Sequence, residues 1–96
     1  MVKAKKQNPV VVTTQHKGVF FGYLVSQKGS TVTISEARNC LYWTPDVKGF
    51  VGLATTGPDK GCRIGPAAKK IELFDVTSVI EATPEAVANW EKSPWA

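Results

Sequence analysis

The residues best suited to chemistry lie in one run, Gly57-Pro58-Asp59-Lys60-Gly61-Cys62-Arg63-Ile64-Gly65-Pro66. Its glycines admit positive φ and let a bound group approach the backbone closely, while its prolines stiffen the path. Successive exposed N–H groups in such a turn form a concave anion site, and Lys60 and Arg63 add positive charge to it. The run therefore predicts a site for an anionic ligand. Its plainer alternative is a tight connection between two strands with solvated basic residues.

Neighbouring residues extend this set to one that suits a phosphorylated nucleotide. Such a ligand needs cations or N–H donors for phosphate and a flat apolar surface for the base. Lys60, Gly61, Cys62 and Arg63 supply the first, on a loop shaped by Gly57 and Gly65. Tyr42 and Trp43 supply the second by stacking, Arg38 is a second cation, and Thr55 and Thr56 can bond phosphate or ribose. Core or interface packing is the competing reading of Tyr42 and Trp43. A pocket in so small a monomer is shallow, so a homo-oligomer that shares the site is expected.

Catalysis has less support. Lys60 and Arg63 could lower the pKa of Cys62 and make it a nucleophile. Yet the single histidine, His16, stands at a strand–turn boundary that reads as surface. Asp46 and Asp59 each sit beside proline, where turn-making is the simpler role. Two cysteines and one histidine are too few and too scattered for a zinc site. The expectation is a non-enzymatic binder without metal or cofactor.

The whole chain sets the background for that loop. It has 96 residues, 43% hydrophobic and 21% charged, which fits one small soluble domain. No apolar run approaches the ~18 residues that a membrane span needs. The basic start, Met1-Val2-Lys3-Ala4-Lys5-Lys6, lacks a following apolar stretch and does not read as a signal peptide. A cytoplasmic protein with Cys40 and Cys62 as reduced thiols is expected. Residues 1–70 hold eleven Lys and Arg against three carboxylates, a net of +8, whereas residues 71–96 carry a net of −4. One basic and one acidic surface follow, able to attract phosphates or to stack subunits.

Residues 1–8 read as a basic tail containing Lys3, Lys5 and Lys6, and residues 9–96 as a single β-rich domain. Pro9 precedes the strand run Val10–His16, and Val19–Ser26 and Thr31–Ser35 complete a meander with turns at Lys17-Gly18 and Lys28-Gly29-Ser30. Gly22 predicts a bulge or bend. Ala37–Trp43 is a further strand candidate, with Cys40, Tyr42 and Trp43 partly buried. Gly49–Ala54 reads as a short strand or a compact turn. Lys70–Phe74 and Val76–Glu81 are the last strands, with a turn at Asp75. Thr83-Pro84-Glu85 starts a helix with cap, first-turn proline and dipole-matched acid, and its Ala86, Val87 and Trp90 share one buried face. Ser93-Pro94 ends it.

The result is a mainly β fold: a small, bent antiparallel sheet or barrel with one short C-terminal helix. Over residues 9–36 and 70–81 its order resembles SH3-like and Sm-like barrels, although the aspartate and asparagine RNA-binding motif of the Sm-like family is not present. The stretches Asn39–Trp43, Gly49–Pro58, Lys60–Ala67 and Val76–Glu81, with the tryptophan-containing C-terminus, resemble a family of short proteins encoded by tailed bacteriophages and prophages. That resemblance implies an accessory protein of the bacterial cytoplasm. By role and size it also implies sequestration of a host-defence nucleotide signal, as in compact β-rich phage oligomers. The alternatives are a nucleic-acid-binding barrel module, supported by the basic first seventy residues, and a structural or host-protein-binding role with Trp90 and Trp95 as exposed anchors.

Overall fold

A computed structural model describes residues 8–15, 18–45 and 49–93. The expectations placed on Lys3, Lys5, Lys6, His16, Asp46, Pro94 and Trp95 lie outside these residues. The elements are β1 (Pro9–Thr14), β2 (Val19–Lys28), β3 (Thr31–Tyr42), α1 (Gly49–Thr55), β4 (Arg63–Ile64), β5 (Ala68–Leu73), β6 (Val76–Glu81) and α2 (Pro84–Lys92). The six strands form one antiparallel sheet in the order β4-β3-β2-β1-β6, with β5 also paired to β3. The fold is mainly β, as the alternating runs predict.

The long strand β3 carries two partners on one edge. Its first half pairs with β5 from Val32↔Leu73 to Ala37↔Ala68, and its second half pairs with β4 at Cys40↔Ile64 and Tyr42↔Arg63. Between the halves stands Glu36, at a φ of 50°, where the strand changes direction. Gly22 supplies the predicted bend in β2: the register shifts between Phe21 and Tyr23. A Cβ on Gly22 would meet Ile34 Cδ1 at 2.8 Å and Ser35 O at 3.0 Å, so only glycine lets β2 and β3 approach this closely.

Bending gives the sheet two buried faces. Val10, Val12, Val32, Ile34, Ala37 and Leu73 fill the inner face. Val11, Val19, Phe21, Tyr23, Cys40 and Ile64 point to the opposite face, where Leu53 and Ala54 of α1 and Ala86 and Trp90 of α2 cover them. Strand β1 is central, so its three consecutive valines are buried on both sides. That explains a run of β-branched residues without alternation. Fully burying each such side chain contributes roughly 1.5–3 kcal/mol.

Of the bent sheet or barrel expected, the structure is the open sheet: β5 and β6 follow one another through Asp75, at a φ of 55°, yet no ladder joins them. One expectation is corrected. Gly49–Thr55, read as a strand or turn, is a helix. Its apolar residues at 50, 51, 53 and 54 follow helical spacing, which the glycines at 49 and 52 obscure. Helix α2 forms as predicted: Thr83 Oγ1 accepts from Ala86 N at 3.1 Å, and Pro84 and Glu85 occupy the first turn. Trp90 is fully buried rather than an exposed anchor. Its ring stacks on Phe21 at 5.2 Å between centroids, and its Nε1 donates to Leu53 O at 2.9 Å. Among the described residues no helix is long and apolar enough to cross a membrane.

Candidate functional site

The loop from Gly57 to Pro66 runs from the end of α1 through β4, and it is built around Asp59. The Asp59 carboxylate accepts from Thr44 Oγ1 at 2.8 Å, from Gly61 N at 2.9 Å and from Cys62 Sγ at 3.4 Å, while Asp59 O accepts from Cys62 N at 3.1 Å. Donated hydrogen bonds favour the ionised acid, so Thr44 first, and then Cys62 and Gly61, hold Asp59 below the usual carboxylate range. Two of the N–H groups expected to cradle a phosphate are therefore already spent on Asp59, that of Gly61 on its carboxylate and that of Cys62 on its main-chain carbonyl. Asp59 is the turn-maker that its place beside proline suggests.

What the loop presents outward is a side-chain surface. Leu41, Tyr42, Gly61 and Arg63 line an open cavity of about 470 Å³. Tyr42 and Arg63 are cross-strand partners at the end of β3, which sets phenol and guanidinium side by side. Tyr42 is 52% exposed, not partly buried as expected, and Leu41 beside it is exposed too. Lys60 and Arg63 are both exposed. A Cβ on Gly61 would meet Thr44 Cγ2 at 2.7 Å, so glycine lets the loop lie flat against Thr44 and form the cavity floor. Leu41 is the lining residue that sequence reasoning missed. Its place beside Tyr42, just before a proline break, was the available signal.

The other residues assigned to the site hold the fold. Arg38 is only 8% exposed; its Nε donates to Gly65 O at 2.8 Å, and its Nη1 to Trp90 O at 2.9 Å and Ser93 O at 2.7 Å. It bolts the end of the loop to the C-terminus of α2, where a cation also suits the helix dipole. Thr55 and Thr56 donate to Val51 O and Gly52 O, so their hydroxyls serve the last turn of α1. Gly57, at a φ of 82°, is buried against Asn89 and Ala86 of α2. Gly65 N donates to Asn39 O at 2.8 Å. Trp43 is half-buried against the helix-covered core.

Cys62 is also corrected. It packs partly against the same core, and burial raises its thiol above the ordinary value instead of the adjacent cations lowering it. Cys40 is buried more deeply and is pushed up to about 12, first by desolvation. Both thiols stay protonated near neutral pH, which removes the activated nucleophile.

Arg63, Lys69 and Lys70 lie on β4 and β5 along one edge of the sheet, together with the exposed Glu72 of β5, and Glu81 lies on β6 at the other. A second hollow, of about 260 Å³, is lined by Phe21, Tyr23, Glu36, Arg38, Ala67 and Glu91. There the Tyr23 hydroxyl donates to Glu91, and its pKa rises, first through desolvation and then through that carboxylate. Among the described residues, one cavity thus combines an aromatic ring with a cation, and another hollow sets two carboxylates beside Arg38.

Comparison with known proteins adds a family without an activity. No curated protein and no solved structure matches the chain. Residues 7–90 match a family described as a domain of unknown function, spanning all six strands and most of α2, and the chain belongs to that family, DUF6948.

Proposed function

We propose that this domain is a non-catalytic binder of a phosphorylated nucleotide, held on the surface formed by Tyr42, Gly61, Arg63 and Lys60. One observation carries the reading: the β3–β4 pairing sets an exposed tyrosine against an exposed arginine at the rim of one cavity. The base stacks on Tyr42 and Leu41, and Arg63 takes phosphate oxygens with its planar fork, aided by Lys60. Because the backbone donors of the loop serve Asp59, phosphate recognition rests on side chains. A cavity this open buries one nucleotide incompletely, which is the reason to expect a second subunit over it. The biological setting in keeping with the phage resemblance is a bacterial cytoplasm, where such a binder sequesters a nucleotide signal.

Thermal shift and calorimetric titration against mononucleotides, cyclic dinucleotides and ADP-ribose test this reading. A ligand at 100 times its Kd adds about 2.7 kcal/mol to native stability. Arg63→Ala is expected to weaken binding ten- to a hundredfold, consistent with about 1.5–3 kcal/mol for a charge-assisted bond. Its melting temperature stays unchanged, because Arg63 is exposed. Arg63→Lys recovers part of the loss, since lysine lacks the fork. A flat response across the library, or equal affinity in wild type and Arg63→Ala, overturns the assignment.

A further inference from the structure

Beyond the cavity, the same edge of the sheet carries further positive charge. Strands β4 and β5 both pair with β3, one after the other, so Lys60, Arg63, Lys69 and Lys70 follow a single edge, all four exposed, with the exposed acids Asp59 and Glu72 among them. From the residue facing Arg63 to the residue facing Lys70, β3 runs from Tyr42 to Ser35. At ~3.3 Å per residue that is at most about 23 Å. Exposed aromatic rings lie at the Arg63 end and four residues beyond Lys70. Tyr42 lies beside Arg63, and Phe74, 61% exposed, follows directly after β5.

We infer that the ligand is polymeric: a single-stranded nucleic acid runs along the β4–β5 edge, its phosphates on the four cations and its bases on Tyr42 and Phe74. The inference rests on the nucleotide reading above and extends it from one residue pair to a track. A row of cations flanked by exposed rings is the arrangement by which small β domains hold single strands without reading sequence. Stacking is tolerant of base identity because every base has a π-face. A duplex would hide those faces, so the strand must be single. Phe74, 61% exposed, offers one such face.

The test is anisotropy of fluorescein-labelled dT12 between 50 and 200 mM NaCl, with dT2 and TMP as short probes. Four neutralised phosphates give a log–log salt slope of about −2.8 for a single strand. That is roughly a fiftyfold loss over this fourfold rise in salt. Lys69→Ala/Lys70→Ala should make the slope about 1.4 shallower than wild type while TMP affinity and melting temperature stay unchanged. Phe74→Ala should weaken dT12 about fivefold or more, and dT2 bound at the Tyr42 end not at all. If dT12 binds no tighter than dT2 while TMP still binds, the track is refuted and the nucleotide site survives. An unchanged slope in the double lysine variant refutes it as well. Binding to phosphatidylserine vesicles with no binding of dT12 would assign the edge to a membrane surface instead. Failure of both TMP and dT12 overturns this inference and the reading beneath it.

Discussion

Replacing Arg38 distinguishes a structural bolt from a ligand cation more sharply than any other single change. The guanidinium donates to Gly65 O, Trp90 O and Ser93 O, so it joins the loop that builds the cavity to the helix that covers the core. Arg38→Met keeps most of the apolar stem and removes only the donors. A hydrogen bond to a charged group is commonly worth about 1.5–3 kcal/mol, but three bonds from one group share its desolvation and do not add. A loss of about 3 kcal/mol is expected. With about 4–8 °C per kcal/mol for a domain of this size, the melting temperature should fall by roughly 12–24 °C. Urea unfolding followed by far-ultraviolet circular dichroism measures the loss as a lower midpoint at unchanged slope. Arg38→Lys should recover part of it, since one ammonium cannot span all three carbonyls. Below its own transition Arg38→Met should bind nucleotide as wild type does. A change in stability under 0.5 kcal/mol would refute the bolt. Normal stability with lost binding would return Arg38 to the site.

Two further predictions concern the same loop. Gly57→Ala places a Cβ 2.8 Å from Asn89 Cβ and 2.9 Å from Ala86 O at a φ of 82°, whereas Gly29, at a φ of 60°, has nothing within 4 Å of its would-be Cβ. Gly29→Ala should cost only the left-handed backbone penalty of about 1–2 kcal/mol, and Gly57→Ala clearly more, by denaturant midpoint; equal losses would mean that the loop moves off α2 freely. The lowered pKa of Asp59 means that its contribution is complete above the unfolded carboxylate value of about 3.9 and is lost as pH falls through the folded value. The stability gap between wild type and Asp59→Ala should therefore be constant from pH 7 to about 5 and close below pH 4, and a gap that persists at pH 2 would exclude the ionised acid as the organiser.

Much of the frame was legible because local patterns and tertiary demands agree. Period-two runs with glycine turns gave β2, β3 and β5, and the Thr83-Pro84-Glu85 signature gave the start of α2. Helix α1 was hidden because glycines at its first and fourth positions lower helix propensity. Burial of Leu53 and Ala54 against the sheet overrides that cost. Sheet and barrel stayed open in the sequence because a turn at Asp75 does not say which strands pair: β5 and β6 are hydrogen-bonded to β3 and β1 instead of to each other.

The site was legible in part, and the division follows a physical rule. Arginine, threonine and glycine look alike in a sequence whether they serve a ligand or the main chain, because both uses call on the same donors and the same freedom of φ. Arg38, Thr55, Thr56, Gly57 and Gly65 were claimed by nearby carbonyls, by the last turn of α1 and by close contacts with α2 and β3. Asp59 took the N–H donors that an external anion would need. Tyr42, Lys60 and Arg63 remain exposed. A bare loop motif predicts that donors exist; only the fold decides which of them are already spent, and on the proposed reading that leaves recognition to the side chains along β4 and β5 rather than to the backbone of the loop.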